Sequence, residues 1–260
     1  IISLTTYTSL DASRIVGGWP TRVERYPSIV QLEARELFSD NWSQACAGSI
    51  IRPRYVLSAA HCFGGISLYD RTRRIRAGTS IRNTGGVIVM IERTINHPSF
   101  NSETSFDADI SVVRLASALE YSPVIQPASI LPQGTQLPDG LPVQYAGWGF
   151  IRYGTTTTTT DKLLKTSVYT VNHDICAARY STLDPPGIVT ENMICAGLLD
   201  VGGRDACHGD SGGPLYYKDP TVGDILVGVI SWGEDCAIAE FPGVNTAVSS
   251  YTQWIVDTAV

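Results

Sequence analysis

The chain has 260 residues, 43% of them hydrophobic, and a formal net charge of −6. This length suits one large domain or two small ones, and the apolar content suffices for a folded core. The acidic balance argues against nucleic acid as a partner. No apolar run approaches the ~18 residues of a membrane span, so we expect no membrane partner.

Short apolar segments separated by turns make up the region from about 26 to 125. Segment 27–32 alternates, and segment 55–58 is apolar with a β-branched residue. Segments 87–91 and 110–115 are predicted to be longer, buried strands. Strands at this spacing, without helical periods between them, predict an all-β barrel or sandwich.

A second set of strands follows a connector with five prolines between 121 and 142. It opens at 143–149 and ends at 225–231. Two short helices are predicted, one capped by Asn172 and running to Tyr180, the other over about 250–258.

The segment 202–215, GGRDACHGDSGGPL, sets Ser211 among glycines. A serine hydroxyl becomes a good nucleophile only when a base takes its proton. Glycine allows a sharp turn and the close approach of a substrate, and bare N–H groups can stabilise an oxyanion. Taken alone, the pattern fits an ordinary glycine-rich turn as well.

Two candidate partners for Ser211 lie upstream. His61 stands in the apolar run 58–62, and Asp109 opens the strand-like segment 109–115. Alone, His61 fits a buried core histidine as well. Together, the order His, Asp, Ser is one of three known for a catalytic triad, and it predicts nucleophilic catalysis.

Six cysteines allow 15 pairings, between which sequence alone does not choose. Disulfides would indicate an oxidising compartment and secretion. Free thiols or a zinc site are the alternatives, although neither a CxxC nor an HxxxH spacing occurs. The sequon at Asn41 is a possible glycosylation site, compatible with secretion.

Five motifs resemble those of the trypsin/chymotrypsin family of serine peptidases, from Ile15 to the C-terminus. They are IVGG at 15–18, AAHC at 59–62, DADIS at 107–111, GDSGGP at 209–214 and SWG at 231–233. The resemblance implies two six-stranded antiparallel β-barrels, about 26–125 and 143–248, and a short C-terminal helix. It implies the disulfides Cys46–Cys62, Cys176–Cys195 and Cys207–Cys236.

The resemblance also implies a triad of His61, Asp109 and Ser211 in the cleft between the barrels. The N–H groups of Gly209 and Ser211 would form the oxyanion hole. Residues 1–14 would be an activation peptide and 15–260 the peptidase domain; a vector-derived leader is the alternative. Cleavage after Arg14 would free the amino group of Ile15 to pair with Asp210.

The resemblance also implies that the residue six before the nucleophile forms the floor of the primary specificity pocket. In this chain that residue is Asp205. A desolvated carboxylate there attracts arginine or lysine, whereas the alternative is a surface-loop aspartate. Gly233 and Gly243 would keep the pocket open. Ser231, Trp232 and Gly233 match the segment that pairs with an extended substrate backbone.

Several positions depart from the family pattern. Glu234 and Asp235 would make the pocket rim acidic, and Asn245 replaces the usual tyrosine. Gln44 stands where a histidine helps hold some zymogens inactive. Segment 76–86, where vertebrate trypsins bind calcium, contains neither Asp nor Glu, so we expect no metal and no other cofactor.

The three lysines are far outnumbered by sixteen arginines, as in insect gut trypsins. Arginine keeps its charge above the lysine pKa of ~10.4, which favours an alkaline lumen; codon bias is the alternative. We expect a secreted, monomeric digestive peptidase whose partners are protein or peptide substrates with Arg or Lys at the cleaved bond, and protein protease inhibitors. A processing or cascade protease of narrow specificity and a non-enzymatic homologue are the competing hypotheses.

Overall fold

The computed structural model describes residues 15–35, 40–64, 72–101, 104–150 and 161–260. Arg14 and the rest of the predicted activation peptide lie outside these residues. The described chain is mostly β-structure. Its strands are β1 (Trp19–Pro20), β2 (Ile29–Arg35), β3 (Trp42–Arg52), β4 (Tyr55–Ser58), β5 (Arg73–Ala77), β6 (Val87–Asn96), β7 (Ser111–Leu115), β8 (Ser129–Ile130), β9 (Pro142–Gly147), β10 (Leu164–Val171), β11 (Met193–Gly197), β12 (Pro214–Asp219), β13 (Gly223–Trp232) and β14 (Gly243–Ala247).

The first six of the longer strands close into a barrel in the order β2-β3-β4-β7-β6-β5. Every neighbouring pair is antiparallel. Many apolar side chains of these strands point inward, as Val30, Leu32, Ile75, Val113 and Leu115 show. Removal of this surface from water drives closure of the barrel. The prediction of a buried strand at 87–91 is wrong in part, because the alternation of β6 exposes Val87, Ile88 and Met90 while Val89 and Ile91 are buried.

The second barrel contains β9, β10, β11, β14, β13 and β12, and it closes because both β10 and β12 pair with β9. Strand β1 extends it at β10, and β8 lies parallel to β13. Val143, Tyr145, Val168 and Leu215 form its core. The predicted pair of six-stranded antiparallel barrels is therefore confirmed.

One buried apolar cluster joins the two barrels. It contains Leu57 and Ile110 from the first barrel and Trp148, Tyr216 and Leu226 from the second. Burial of this shared surface holds the barrels in a fixed relative position. The two sides of the cleft between the barrels are consequently held in place by this shared core.

Two α-helices are present in the described residues, α1 (His173–Tyr180) and α2 (Thr252–Thr258). Helix α1 is confirmed, with the Asn172 side chain accepting a 3.1 Å hydrogen bond from the N–H of Ile175. Helix α2 begins two residues later than predicted, because a 3-10 turn precedes it and Tyr251 has the non-helical angles φ −125° and ψ 8°. None of the described helices has the length and apolarity to cross a membrane.

The three disulfides that the resemblance implies are present: Cys46–Cys62, Cys176–Cys195 and Cys207–Cys236. The first joins β3 to the turn that carries His61. The third joins the serine segment to the segment that follows β13. Two of the three thus link elements that carry predicted site residues.

Candidate active site

His61 and Asp109 are brought together by the pairing of two strands. His61 follows β4 in a 3-10 helix, and Asp109 precedes β7, which pairs with β4. The His61 Nδ1 atom lies 2.6 Å from Asp109 Oδ2, and the His61 N–H donates to Asp109 Oδ1 at 2.8 Å. The carboxylate thus fixes both the ring and the backbone of the histidine.

Asp109 is fully buried and receives a third hydrogen bond from Ser231, whose Oγ lies 2.5 Å from Oδ2. The Thr246 hydroxyl donates to the main-chain carbonyl of Asp109 at 2.8 Å. The two contacts from His61 and the one from Ser231 satisfy a carboxylate that water does not reach. The SWG motif predicts a role for Ser231 beside the substrate backbone, and nothing in that motif indicates this contact of its hydroxyl.

Ser211 lies in a turn that requires glycine on its C-terminal side. Gly212 has φ +75°, and a Cβ there would lie 2.1 Å from the Ser58 hydroxyl and 2.6 Å from the Ala47 carbonyl. The Ala47 N–H donates to the Ser211 carbonyl at 2.8 Å. Strand β3 of the first barrel therefore holds the serine segment of the second.

Ser211 and His61 line one cavity of about 520 Å³. The Cys62 Sγ atom lies 3.9 Å from His61 Nε2 and 3.7 Å from the Ser211 carbonyl oxygen. Phe106 meets the His61 ring edge-on at 5.8 Å and stacks on Trp232 at 6.4 Å. Nothing in the spacing of Phe106 predicted this position.

The same cavity contains Asp205, which is only 4% exposed. Its carboxylate accepts hydrogen bonds from the N–H groups of Ala206 at 2.8 Å and Ala237 at 3.1 Å. Burial raises the pKa of Asp205 to about 7, and these two bonds oppose that rise. A Cβ on Gly243 would lie 2.8 Å from Asp205 Oδ1, so glycine keeps this space open.

Asn245, which replaces the tyrosine usual in the family, lies beside the phenol of a tyrosine from another strand. Asn245 donates from Nδ2 to the Tyr145 hydroxyl at 2.9 Å and to the Ile194 carbonyl at 3.1 Å. Both Tyr145 and Asn245 line the cavity beside Asp205. Tyr145 was not predicted as a site residue, because it fits the pattern of a core strand. The missing tyrosine at position 245 is the one feature of the sequence that could have indicated a compensating side chain nearby.

The mouth of the cavity is acidic. Glu234 and Asp235 both line it, together with Gly233 and His208. Trp232 packs edge-on against Tyr180 with ring centroids 4.8 Å apart. The predicted substrate-binding segment therefore forms one side of the opening.

Asp210 is fully buried in a cradle of glycines. It accepts from the N–H of Gly149 at 2.8 Å and from that of Cys207 at 3.1 Å. A Cβ on Gly147 would lie 1.9 Å from its Oδ1, and one on Gly149 would lie 2.5 Å from its Oδ2. Burial raises the pKa of Asp210 to about 6. The packing of Gly147 and Gly149 against Asp210 was not predicted from the sequence.

The segment that follows the predicted cleavage point packs beside the acidic pocket. The Ile15 side chain is fully buried, and the Val16 carbonyl accepts from the N–H of Asp205 at 3.2 Å. Gly17 has φ +66°, and a Cβ there would meet the Gly203 carbonyl oxygen at 2.1 Å. These contacts link the start of the predicted peptidase domain to the pocket floor.

One group of possible metal ligands occurs in the described part of the chain, formed by Cys46, His61 and Cys62. The two cysteines are joined in a disulfide and offer no thiolate. A second cavity of about 490 Å³, lined by His173 and Glu191 among others, lies away from Ser211. His61, Asp205 and Ser211 thus line the first cavity and not the second.

Residues 15–255 match the sequence profile of the family described as "Trypsin". The chain belongs to the trypsin family. It is 44% identical over 245 residues to "Trypsin, alkaline C" of Manduca sexta, covering 93% of this chain and 90% of that protein. It is 43% identical to "Trypsin CFT-1" of Choristoneura fumiferana over the same shares of each chain. It is 41% identical to "Trypsin Blo t 3" of Blomia tropicalis, over 82% of this chain and 76% of that one.

This trypsin-family chain is accordingly a serine endopeptidase, a hydrolase that acts on proteins. The three disulfides and the similarity to insect trypsins are consistent with an extracellular location.

Proposed function

We propose that the chain is a digestive zymogen that, once cut between Arg14 and Ile15, hydrolyses peptide bonds after arginine or lysine. The observation that carries this proposal is a buried carboxylate, Asp205, in the same cavity as His61 and Ser211. A cationic side chain that pairs with Asp205 brings the next peptide bond to the serine.

In the proposed reaction the Ser211 hydroxyl attacks the scissile carbonyl, and its proton passes to His61. The C–N bond then breaks, and His61 returns the proton to the leaving amine. Water repeats the attack on the acyl-enzyme and regenerates Ser211. Asp109 holds one tautomer of His61, as their 2.6 Å contact favours, and the N–H groups of Gly209 and Ser211 stabilise the oxyanion.

Substrate recognition extends from the floor to the mouth of the cavity. A guanidinium can form two charge-assisted hydrogen bonds with the Asp205 carboxylate. Glu234 and Asp235 at the mouth favour further basic residues in the substrate. Ser231, Trp232 and Gly233 offer a strand for the substrate backbone, and Gly243 leaves room for the long side chain.

Activation follows from the burial of Asp210. The α-ammonium that cleavage creates at Ile15 would supply a positive partner to this carboxylate and lower its pKa. The burial of the Ile15 side chain supports this arrangement. We therefore assign residues 1–14 to the activation peptide and 15–260 to the peptidase domain.

An alkaline gut lumen is the proposed site of action. Sixteen arginines against three lysines support it, and a relative at 44% identity is named an alkaline trypsin. Asn41 is exposed, as a glycosylation site in a secreted protein must be. We further propose that the enzyme is monomeric and is inhibited by protein protease inhibitors.

The test combines amino-terminal sequencing with a substrate panel. After treatment with trace trypsin, we expect a new terminus Ile-Val-Gly-Gly and the onset of hydrolysis. Among peptides that differ only in the residue before the cleaved bond, those with Arg or Lys should be hydrolysed much faster than the one with Phe. Casein should also be degraded. Preference for Phe would contradict the pocket assignment, and activity against one peptide but not casein would favour a processing protease.

The pH dependence of cation binding gives a further prediction. Asp205 must be ionised to bind an arylamidine, and its pKa in the free enzyme is raised to about 7. The affinity should therefore fall about tenfold per pH unit between pH 7 and pH 5 and be level above pH 8. Calorimetric titration of the activated enzyme measures it.

Asp205→Asn is the matched control, because it removes the titrating carboxylate and keeps the size and shape of the side chain. The variant should bind the amidine weakly and lose the slope. An unchanged slope in Asp205→Asn would assign the titration to another group.

A further inference from the structure

Gln44 joins the first barrel to the oxyanion segment. It is 4% exposed, and its Nε2 donates to the Gly209 carbonyl at 2.6 Å and to the Cys46 carbonyl at 3.2 Å. An amide nitrogen has two N–H groups, so both are used. The side chain is thus oriented with its nitrogen toward Gly209.

Arg82 fixes that orientation from the other side. Its Nε donates to Gln44 Oε1 at 2.8 Å, and its Nη2 donates to the Gln44 main-chain carbonyl at 3.0 Å. A guanidinium can only donate, so a flipped amide would place N–H groups against N–H groups. The N–H of Arg82 is itself anchored on the Asp161 carbonyl at 2.8 Å.

The Arg82 guanidinium is partly buried and is attracted by two carboxylates. Burial lowers its pKa, whereas the charges of Asp161 and Asp210 raise it. The attraction between Arg82 and Asp210 in turn opposes the raised pKa of Asp210. Arg82 therefore acts on both residues that follow His208, on Asp210 through its charge and on Gly209 through the hydrogen bonds of Gln44.

The peptide planes on both sides of Gly209 are held by these contacts. The Gly209 carbonyl accepts from Gln44, and the His208 carbonyl accepts from the N–H of Phe150 at 2.8 Å. The Gly209 N–H lies in the same peptide plane as the His208 carbonyl. The backbone angles of Gly209, with φ at +92°, set the orientation of that plane relative to the plane that carries the Gly209 carbonyl. Releasing one of them would let that N–H turn away from the oxyanion.

We infer that Gln44 and Arg82 are positioning residues that hold the Gly209 N–H toward the oxyanion. This inference rests on the proposed role of Gly209 in catalysis. Neither side chain touches the substrate in this account. Their effect should therefore appear in the transition state and not in binding to the Asp205 pocket.

Gln44→Glu is the sharpest variant, because it keeps the size of the side chain and its contact with Arg82. A carboxylate cannot donate to the Gly209 carbonyl and repels it. We expect kcat to fall on the order of 10- to 100-fold, less than the ~10²–10³ of a lost oxyanion donor. Affinity for an arginine boronic acid, which forms a tetrahedral adduct, should fall similarly, while arylamidine affinity stays within about twofold.

Arg82→Gln should lower kcat and boronate affinity by less, about 3- to 10-fold, and leave arylamidine affinity unchanged. The reason is that Gln44 keeps its N–H donors but loses the group that orients them. Arg54→Gln is the matched control. Arg54 likewise donates from its guanidinium to backbone carbonyls, those of Leu115 and Ala116, and also to the Glu92 carboxylate, and none of these partners belongs to the oxyanion segment. It should change neither affinity, and burst titration corrects every variant for its active fraction.

Two results would overturn the inference. In the first, Gln44→Glu lowers boronate and amidine affinities by equal factors, which indicates general distortion. In the second, it lowers only the thermal midpoint and leaves both affinities and kcat unchanged. Failure of the proposed function itself would look different, since the wild-type enzyme would then bind neither ligand.

Discussion

Replacing Ser211 by alanine should lower kcat for an arginyl ester by about 10⁶-fold in the activated enzyme. The change removes the only proposed nucleophile and leaves the oxyanion donors and the Asp205 pocket in place. Single-turnover kinetics at high enzyme concentration measure the residual rate. Arylamidine affinity should be unchanged, which shows that the pocket still folds.

The matched control is Ser231→Ala. It removes one of the three hydrogen bonds to the Asp109 carboxylate and leaves the nucleophile intact. We expect a loss of about tenfold, as for one hydrogen bond to a charged group. Comparable losses in the two variants, or substantial turnover in Ser211→Ala, would contradict the assignment of the nucleophile.

Replacing Asp205 by serine should change the specificity of the enzyme. Loss of one partner of a buried charge pair, and of its hydrogen bonds, should lower kcat/KM for arginyl substrates on the order of 10³- to 10⁴-fold. Hydrolysis after Phe should stay level or rise, because the buried carboxylate no longer has to be left unpaired. Progress curves with Arg, Lys and Phe peptides measure the ratio.

Asp235→Ser serves as the control for this prediction. Asp235 lies at the mouth of the same cavity and is only half-buried, so water and salt screen its charge. We expect a loss below about tenfold for arginyl peptides. If Asp235→Ser changed specificity as much as Asp205→Ser, recognition of the cation would belong to the mouth and not to the floor.

The sequence was informative wherever the chemistry needs a local pattern. His61, Asp109 and Ser211 each stand in a short motif whose neighbours set the turn, as the contacts of Gly212 illustrate. The short apolar segments likewise predicted several of the strands, among them β2, β4, β7 and β13, and the family resemblance supplied the two closed barrels. These features depend on residues adjacent in the chain, which a pattern can contain.

Other features depend on which strands lie side by side. The Ser231 hydroxyl reaches Asp109, 122 positions away, and the Asn245 amide reaches the Tyr145 phenol, 100 positions away. Gln44 and Gly209 are 165 positions apart. A tyrosine in β9 looks like any other core residue until the register places it beside Asn245.

The start of α2 illustrates a smaller difference. The apolar face of 250–258 predicted a helix, but the periodicity does not specify where the first turn forms. Thr252 donates from its hydroxyl to the Leu131 carbonyl at 2.7 Å, which anchors the first residue of the helix on the connector between the barrels. Tertiary contact, and not the sequence pattern, sets this boundary.

Reaction with an arginyl chloromethyl ketone tests most directly whether His61, Ser211 and Asp205 act at one site. Its arginine should enter the Asp205 pocket and its ketone should meet Ser211, so that the chloromethyl carbon alkylates the ring of His61. Peptide mapping by mass spectrometry should find His61 modified by the arginyl reagent. The corresponding phenylalanyl chloromethyl ketone should modify His61 slowly or not at all. Modification of another histidine such as His208, or equal reaction with both reagents, would contradict the account.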